Sequence, residues 1–382
     1  MLLGTYYNDL EIYRRDRIVF ACFLRPHRVV STCRINGGLS DELSVLFNHQ
    51  ACEPCNHKSQ TTRTIIQDPE GYLKHICKAH DLDYKKCASL GTAANMNYAT
   101  IEPLTFRDLT VVAVCTGGVE VNAGRASDPA HFFESDRQFE RLVDSKADPT
   151  AGTINIMVFI SKPLTRGAMI STIVTATEAK TAALQELNVN SRYSDGLATG
   201  TGTDQIGVAS RMTKETPFTS AGKHAKLGEL IGKTVKTAVK KTLSLQNELI
   251  PEGQRSVKIH IERFGTNKEK MKAAICRLLP DDKAKVLNDN FEIINRDPLT
   301  VAAVVAMVHL RDKFVWGILP ESCMPEIFSS YGAQIASAIS GKTNRIPVYR
   351  EKLADVQHGS DNAALLNLIF QAMAMGFEEK WD

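Results

Sequence analysis

The hydrophobic pattern is sharpest between residues 152 and 210. Thr153 to Ile160 is apolar at nearly every position, which predicts a strand covered on both faces, yet its entry is polar, carrying Thr153 and Asn155. From about Leu164 to Leu187 the period changes to that of a helix. Met169, Ile173, Ala176, Leu184 and Leu187 form one stripe, with Ser171, Thr175, Glu178 and Gln185 on the other side. Lys180 interrupts the apolar stripe, so it either snorkels to water or meets a buried acid or a ligand. Next comes TGTGTD. Read as extended chain, it puts Thr199, Thr201 and Thr203 on one side and Gly200 and Gly202 on the other, and Asp204 leads into a further strand.

The flanking chain reads as a mixture of both periods. Residues 17 to 36 predict two strands around a turn near Pro26 and His27, and Asn36 lies in the turn that ends the second. A helix is predicted near Ser40 to Phe47, followed by the polar triplet Asn48, His49 and Gln50, in which His49 is a candidate acid or base. Asp68-Pro69 opens a helix to about residue 80. Residues 98 to 116 predict a strand, a turn and a strongly apolar strand, which empties into a small-residue loop containing Asn122. Residues 126 to 150 read as a surface excursion. His224 stands at the start of a helix carrying Leu227, Leu230, Ile231, Val235, Ala238 and Val239 at helical spacing. Beyond residue 248 the character shifts. SVKIHIERF alternates like a strand, and 268–279, 299–310, 324–339 and 361–376 are helical. The expected class is α+β, with mixed or antiparallel sheets layered with helices. Residues 1–248 would form one domain and 249–382 an accessory, mostly helical region.

Composition narrows the function classes. A chain of 382 residues with a net charge of +3 has no basic tract with interleaved aromatics, so nucleic acid is not an expected partner. No basic leader with an apolar core opens the chain and no run reaches the roughly 18 apolar residues of a membrane span, which points to a cytoplasmic protein. Nine cysteines, an odd number, suit reduced thiols. Cys52, Cys55, Cys77 and His80, with His57 and Cys87 nearby, have a spacing that could hold a structural zinc. Phosphate-loop, dinucleotide, zinc-protease and nucleophile-elbow motifs are absent from the sequence.

GTINI at the strand entry, ATEAKTAAL on the helix and ATGTGTD after it resemble the adenosylcobinamide amidohydrolase family. STCRINGG, GTAANM, TGGVEVNAGRASD and GKHAKLGELIG fit the same family in the same order. The resemblance covers roughly residues 15 to 245. Cys33 and Gly117 depart from the usual small residues, and the last 135 or so residues lie outside it. It implies hydrolysis of the amide that joins aminopropanol to the corrin ring's side chain, giving adenosylcobyric acid in cobamide salvage. The corrinoid is then a small-molecule substrate and no cofactor is required. Oligomeric state is left open. Such chemistry needs a nucleophile, oxyanion donors and an acid for the leaving amine. Thr201, Thr203 or a water on Asp204 would attack, and Lys180 or His49 would handle the proton. Asn36, Asn122 and the glycine segments would donate to the oxyanion, with Glu178, Thr199, Gly200, Gly202 and His224 as further substrate contacts. The same stretch looks like part of the four-layer αββα architecture of the aminopeptidase and ornithine acetyltransferase superfamily, some of whose members cleave their own chain before Ser or Thr; Gly152-Thr153 is the candidate dipeptide here. A non-catalytic corrinoid carrier and a zinc-stabilised interaction protein are the alternatives.

Overall fold

The computed structural model describes residues 1–51, 68–136, 138–142 and 152–381. The chain divides into two compact units, Met1–Leu249 and Ile250–Asp382. The first unit contains two large sheets. One runs β1 (Leu2–Tyr6), β2 (Leu10–Arg15), β3 (Ile18–Phe23), β6 (Val45–Gln50) and β7 (Cys87–Thr92), in that order. The other runs β5 (Gly38–Ser40), β4 (His27–Ser31), β15 (Gln205–Arg211), β13 (Ile154–Ile160), β9 (Leu109–Gly117) and β8 (Thr100–Phe106). Pairing is antiparallel except between β6 and β7 and between β13 and β15. The strands β13 and β15 need a long crossover to run side by side, and the helix α2 (Arg166–Glu186) supplies it.

Strand alternation stacks these elements in four layers. Ile154, Ile156, Val158 and Ile160 of β13 face α2 and the helix α3 (Lys226–Asn247), meeting Met169, Ala176, Leu184, Ile231 and Val235. Met157 and Phe159, one residue out of phase, pack instead on Leu46, Leu90 and Ala21 of the first sheet. The outer face of that sheet, including Ile18, Phe20, Val45 and Phe47, is covered by Leu73, Ile76 and Cys77 of the helix α1 (Pro69–Ala79). The order is therefore helix, sheet, sheet, helix pair, and the fold is α+β. Because the inner strands, such as β9 and β13, are covered on both faces, they read as nearly continuous apolar runs.

Several predicted elements change. The strands around Pro26 are not a hairpin, since β3 belongs to one sheet and β4 to the other. The helix predicted at Ser40 to Phe47 is replaced by β5 and β6. A strand buried on both faces shows no period, so its apolar run is open to a helical reading. SVKIHIERF is helical, at Val257–Ile261 and then Glu262–Phe264; Val257, Ile261 and Phe264, four and three apart, are its buried residues. The strands β1, β2 and β7 were not expected.

The second unit, Ile250–Asp382, is helical throughout its described residues. Its main helices, Lys268–Cys276, Asp281–Asn295, Pro298–Val315, Met324–Ser340 and Asn362–Glu378, share one apolar core. Buried in that unit, Arg263 bonds Asp312 at 2.6 Å, and the guanidinium groups of Arg263 and Arg311 lie over the Phe264 ring at 4.6 and 4.8 Å. Among the described residues no single helix is long and apolar enough to cross a membrane.

Candidate active site

The starts of β13 and β15, the last turns of α2 and the TGTGTD segment meet at one end of the second sheet. Lys180 points inward from α2 and its ammonium is bonded to Oδ2 of Asp204. The side chains are only 7% and 11% exposed, so this is a buried ion pair rather than a snorkelling lysine. Asp204 collects three further donors. Its Oδ1 accepts from the Ile154 amide at 2.8 Å and the Thr201 hydroxyl at 2.6 Å, and its Oδ2 accepts from the Thr201 amide at 3.0 Å. A carboxylate with this many donors is held in one orientation.

The bond from Asp204 back to Thr201 closes a turn, and this overturns the expected row of hydroxyls. Instead of lining one side, the three threonines diverge. Thr199 Oγ1 accepts from the Ala126 amide at 2.8 Å, Thr201 binds Asp204, and Thr203 reaches the Gly152-Thr153 linkage. Gly200 is required for close approach. A Cβ there would lie 2.6 Å from the Lys180 nitrogen and would also collide with the Asp204 carboxylate. Gly200 and Thr201 form a short strand, β14, paired with β10 (Ala123–Gly124). Gly202 lies beside the Asn122 carboxamide.

A second group adjoins the pair. The Gly152 carbonyl accepts from Thr203 Oγ1 at 2.8 Å and from Asn122 Nδ2 at 3.2 Å, while Thr153 and Thr203 share a hydroxyl–hydroxyl bond of 2.6 Å. Tyr193 donates to Asn122 Oδ1 at 2.8 Å, which orients the carboxamide so that its nitrogen faces Gly152 and Thr203. Behind these, between the sheets, Asn155 Nδ2 donates to Asn48 Oδ1 at 2.9 Å and to the Gly91 carbonyl at 3.0 Å, and Asn48 Nδ2 donates to Thr116 Oγ1 at 2.6 Å. Asn48, Thr116, Asn155 and Tyr193 had not been picked out as site residues. The signal for Asn48 was adjacent: in a strand, the neighbour of His49 points the opposite way.

Lys180, Thr201, Thr203, Asp204, Asn122, Gly200 and Gly202 thus come together, with Thr199 one strand position away. Four expected residues do not join them. His49 projects from the α1 face of the first sheet, where the Tyr72 hydroxyl meets its Nδ1 at 2.7 Å, whereas Asn48 faces the second sheet. Asn36 is a structural clamp whose amide nitrogen donates to the Tyr84 and Cys87 carbonyls at 2.8 Å, at the far end of β7 from Gly91. Glu178 is on the exposed side of α2, paired with Lys223 at 2.6 Å. His224 precedes α3 at the other end of the sheet. Two residues on, the Lys226 ammonium sits 4.8 Å from the Phe106 ring, next to the turn whose Thr110 amide bonds Ser161 just past β13. Spanning β13 takes about 20 Å. Thr175, assigned to the polar stripe of α2, is buried and bonds the Ala221 carbonyl at 2.8 Å.

Of the zinc candidates, Cys52, Cys55 and His57 lie outside the described residues. Cys77 and Cys87 are buried free thiols and His80 caps α1. Among the described residues no group of three or more His, Cys, Asp or Glu could hold a metal ion.

The family model described as adenosylcobinamide amidohydrolase matches residues 3–251, and the chain belongs to this family. Among similar proteins, an uncharacterised protein of Methanocaldococcus jannaschii is 40% identical over 188 residues, covering 48% of this chain and 73% of its own. An adenosylcobinamide amidohydrolase of Methanosarcina mazei is 28% identical over 226 residues, covering 56% of this chain and 89% of its own. Residues 252–382 lie outside the family match.

Asymmetry in the ion pair sets a first expectation. Asp204→Ala strands a buried ammonium and frees the Ile154 amide, so it should cost about 3–5 kcal/mol in a urea unfolding experiment. Lys180→Met leaves the carboxylate with three donors and should cost clearly less; equal losses would contradict the network. Burial, with His80, Arg17 and His75 nearby, pushes the His49 pKa down to about 4. The unfolded chain then takes up a proton at higher pH than the folded one, so stability present at neutral pH is lost as pH falls from about 6.5 towards 4. His49→Gln should flatten that part of the stability–pH curve, by up to about 3 kcal/mol.

Proposed function

We propose that this chain hydrolyses the amide linking aminopropanol to the corrin side chain of adenosylcobinamide, releasing adenosylcobyric acid. The observation that carries this reading is the buried Lys180–Asp204 pair set against the Thr201 and Thr203 hydroxyls and the Asn122 carboxamide, within residues matched by the family. A water beside these hydroxyls, or a threonine hydroxyl whose ester a water then hydrolyses, attacks the carbonyl carbon. The attacking oxygen's proton passes to Lys180 once its ammonium has protonated the leaving nitrogen, so one water is consumed and the lysine is restored. The Asn122 amide nitrogen and the Lys180 ammonium are the nearby donors for the oxygen that becomes negative, and the ammonium carries the proton the leaving amine requires. Asp204, already saturated with donors, acts to hold Lys180 and Thr201 in place rather than as the base. His49 has no part, since it faces the other side of its sheet.

A second reading concerns the chain itself and rests on the Gly152-Thr153 linkage. The Gly152 carbonyl oxygen already has two donors, Thr203 and Asn122, and the Thr153 hydroxyl is bonded to Thr203. Gly152 holds a φ of +106°, a conformation available to glycine. In this reading the Thr153 oxygen attacks the Gly152 carbon, its proton passing to Thr203 as Thr203 protonates the carbonyl oxygen. Loss of the Thr153 nitrogen as an amine leaves an ester, and one water hydrolyses it. Thr153 would then be a free amino-terminal residue at the site.

Pure protein incubated with adenosylcobinamide, with and without EDTA, should yield adenosylcobyric acid and aminopropanol by mass spectrometry, and Lys180→Met should bind the corrinoid without product. Tight binding with no product from the unaltered chain would leave a corrinoid carrier instead. Intact mass of the same protein addresses the second reading. Fragments 1–152 and 153–382, absent in Thr153→Val, support self-cleavage, and a chain that stays whole under turnover conditions removes it.

A further inference from the structure

Beside the site stands an aromatic ribbon that the mechanism does not use. Among the described residues, strands β11 (Phe132–Ser135) and β12 (Gln138–Arg141) pair only with each other, as a separate two-stranded sheet. Such a ribbon has no interior of its own and is marginal in water without something covering it. Phe132, Phe133, Phe139 and Leu142 are nevertheless exposed, each by 44% or more. Pairing of Phe132 with Arg141 and of Glu134 with Phe139 places Phe132 and Phe139 as diagonal neighbours on one face, and Phe133 is on the other.

The ribbon is joined to the site through the residue that precedes it. His131 packs edge-on against Tyr193 with ring centroids 4.8 Å apart. Tyr193 in turn lies against Gly124, whose strand partner is Gly200, and its hydroxyl holds Asn122. The groups of the site proper are hydroxyls, amides and an ion pair. The substrate of the proposed reaction has its scissile amide at the tip of one side chain, while most of its surface is a broad macrocycle whose faces and edges carry methyl groups among further amide side chains.

We propose that the 132–141 ribbon is the apolar wall that receives the corrin macrocycle, with Tyr193 between the ring and the polar site, so that the aminopropanol arm reaches Asn122 and Thr203. This rests on the amidohydrolase reading. Contact with the ring, remote from the reacting amide, adds binding energy that is the same for bound substrate and transition state. Phenyl rings suit this role because they offer large rigid area at low entropic cost.

The test uses the full-length protein and the double variant Phe132→Ser/Phe139→Ser. Adenosylcobinamide binding by equilibrium dialysis, kcat, KM and sedimentation velocity are measured on both. The expected result is a dissociation constant and KM raised about tenfold or more, the loss of roughly 1.4 kcal/mol of contact, with kcat within about twofold and sedimentation unchanged. An unchanged KM in a variant that cleaves substrate overturns the ribbon's role and leaves the amidohydrolase reading standing. A variant that sediments as a smaller species with unaltered KM also overturns it, assigning the phenyl rings to a second copy of the chain. An unaltered protein that neither binds nor cleaves the corrinoid sinks the amidohydrolase reading and the ribbon's role with it.

Discussion

The arrangement at the candidate site depends on one carboxylate buried inside the protein with its partners around it. Asp204 and Lys180 are both withdrawn from water, a placement that is costly for either alone. Four donors converge on the carboxylate, from Lys180, from the main chain and hydroxyl of Thr201, and from the Ile154 amide. Those bonds tie together the entry of β13, the helix that crosses over it and the turn that leads into its parallel neighbour. A single ion thereby fixes the register of three consecutive elements. Gly200 follows from the same requirement, because the ion pair occupies the space where a side chain would be.

The four-layer stack explains why polar chemistry collects at this end. Along β13 the inter-sheet face reads Asn155, Met157, Phe159, passing from an amide cluster to dry packing within one strand. Asn48 on β6 and Thr116 on β9 reach the same level from the facing sheet and the neighbouring strand, so the amides satisfy one another where apolar filling stops. The Gly152-Thr153 linkage then enters the sheet directly above this layer, with Thr203 and Asn122 on its carbonyl. The site is built from strand ends and tight turns on a buried scaffold, which places its groups more rigidly than long loops would.

Under the proposed hydrolysis, the Asn122 amide, the Thr201 and Thr203 hydroxyls and the Lys180 ammonium supply the donors and the proton carrier within one cluster. The ribbon at 132–141 adds exposed aromatic area that is linked to Tyr193 through His131. The helical unit from Ile250 has its own apolar core and lies almost wholly beyond the residues matched by the family.

Sequence alone was enough for the strand, the helix and the following strand within 152–210, because the apolar run, the helical period and the polar or glycine residues at the breaks mark them off, whereas TGTGTD, extended by its pattern, is a turn in the structure. It also isolated Lys180 and Asp204 as out of place, since a lysine in an apolar stripe and an aspartate at a strand entry both demand a partner. That they are each other's partner was decided by the tertiary structure, through a crossover that brings positions 24 residues apart face to face. Folding likewise separated Asn48 from His49. In a strand covered on both faces, neighbouring residues enter different layers, and without the sheet's identity nothing in the triplet told which one faces the site. Asn36, Glu178 and His224 had the right chemistry in the wrong place, because a polar residue near a turn or helix start reads the same whether it lines a site or clamps a loop. Tyr193, orienting Asn122 from a segment with no periodic signal, could be found only once the chain was folded.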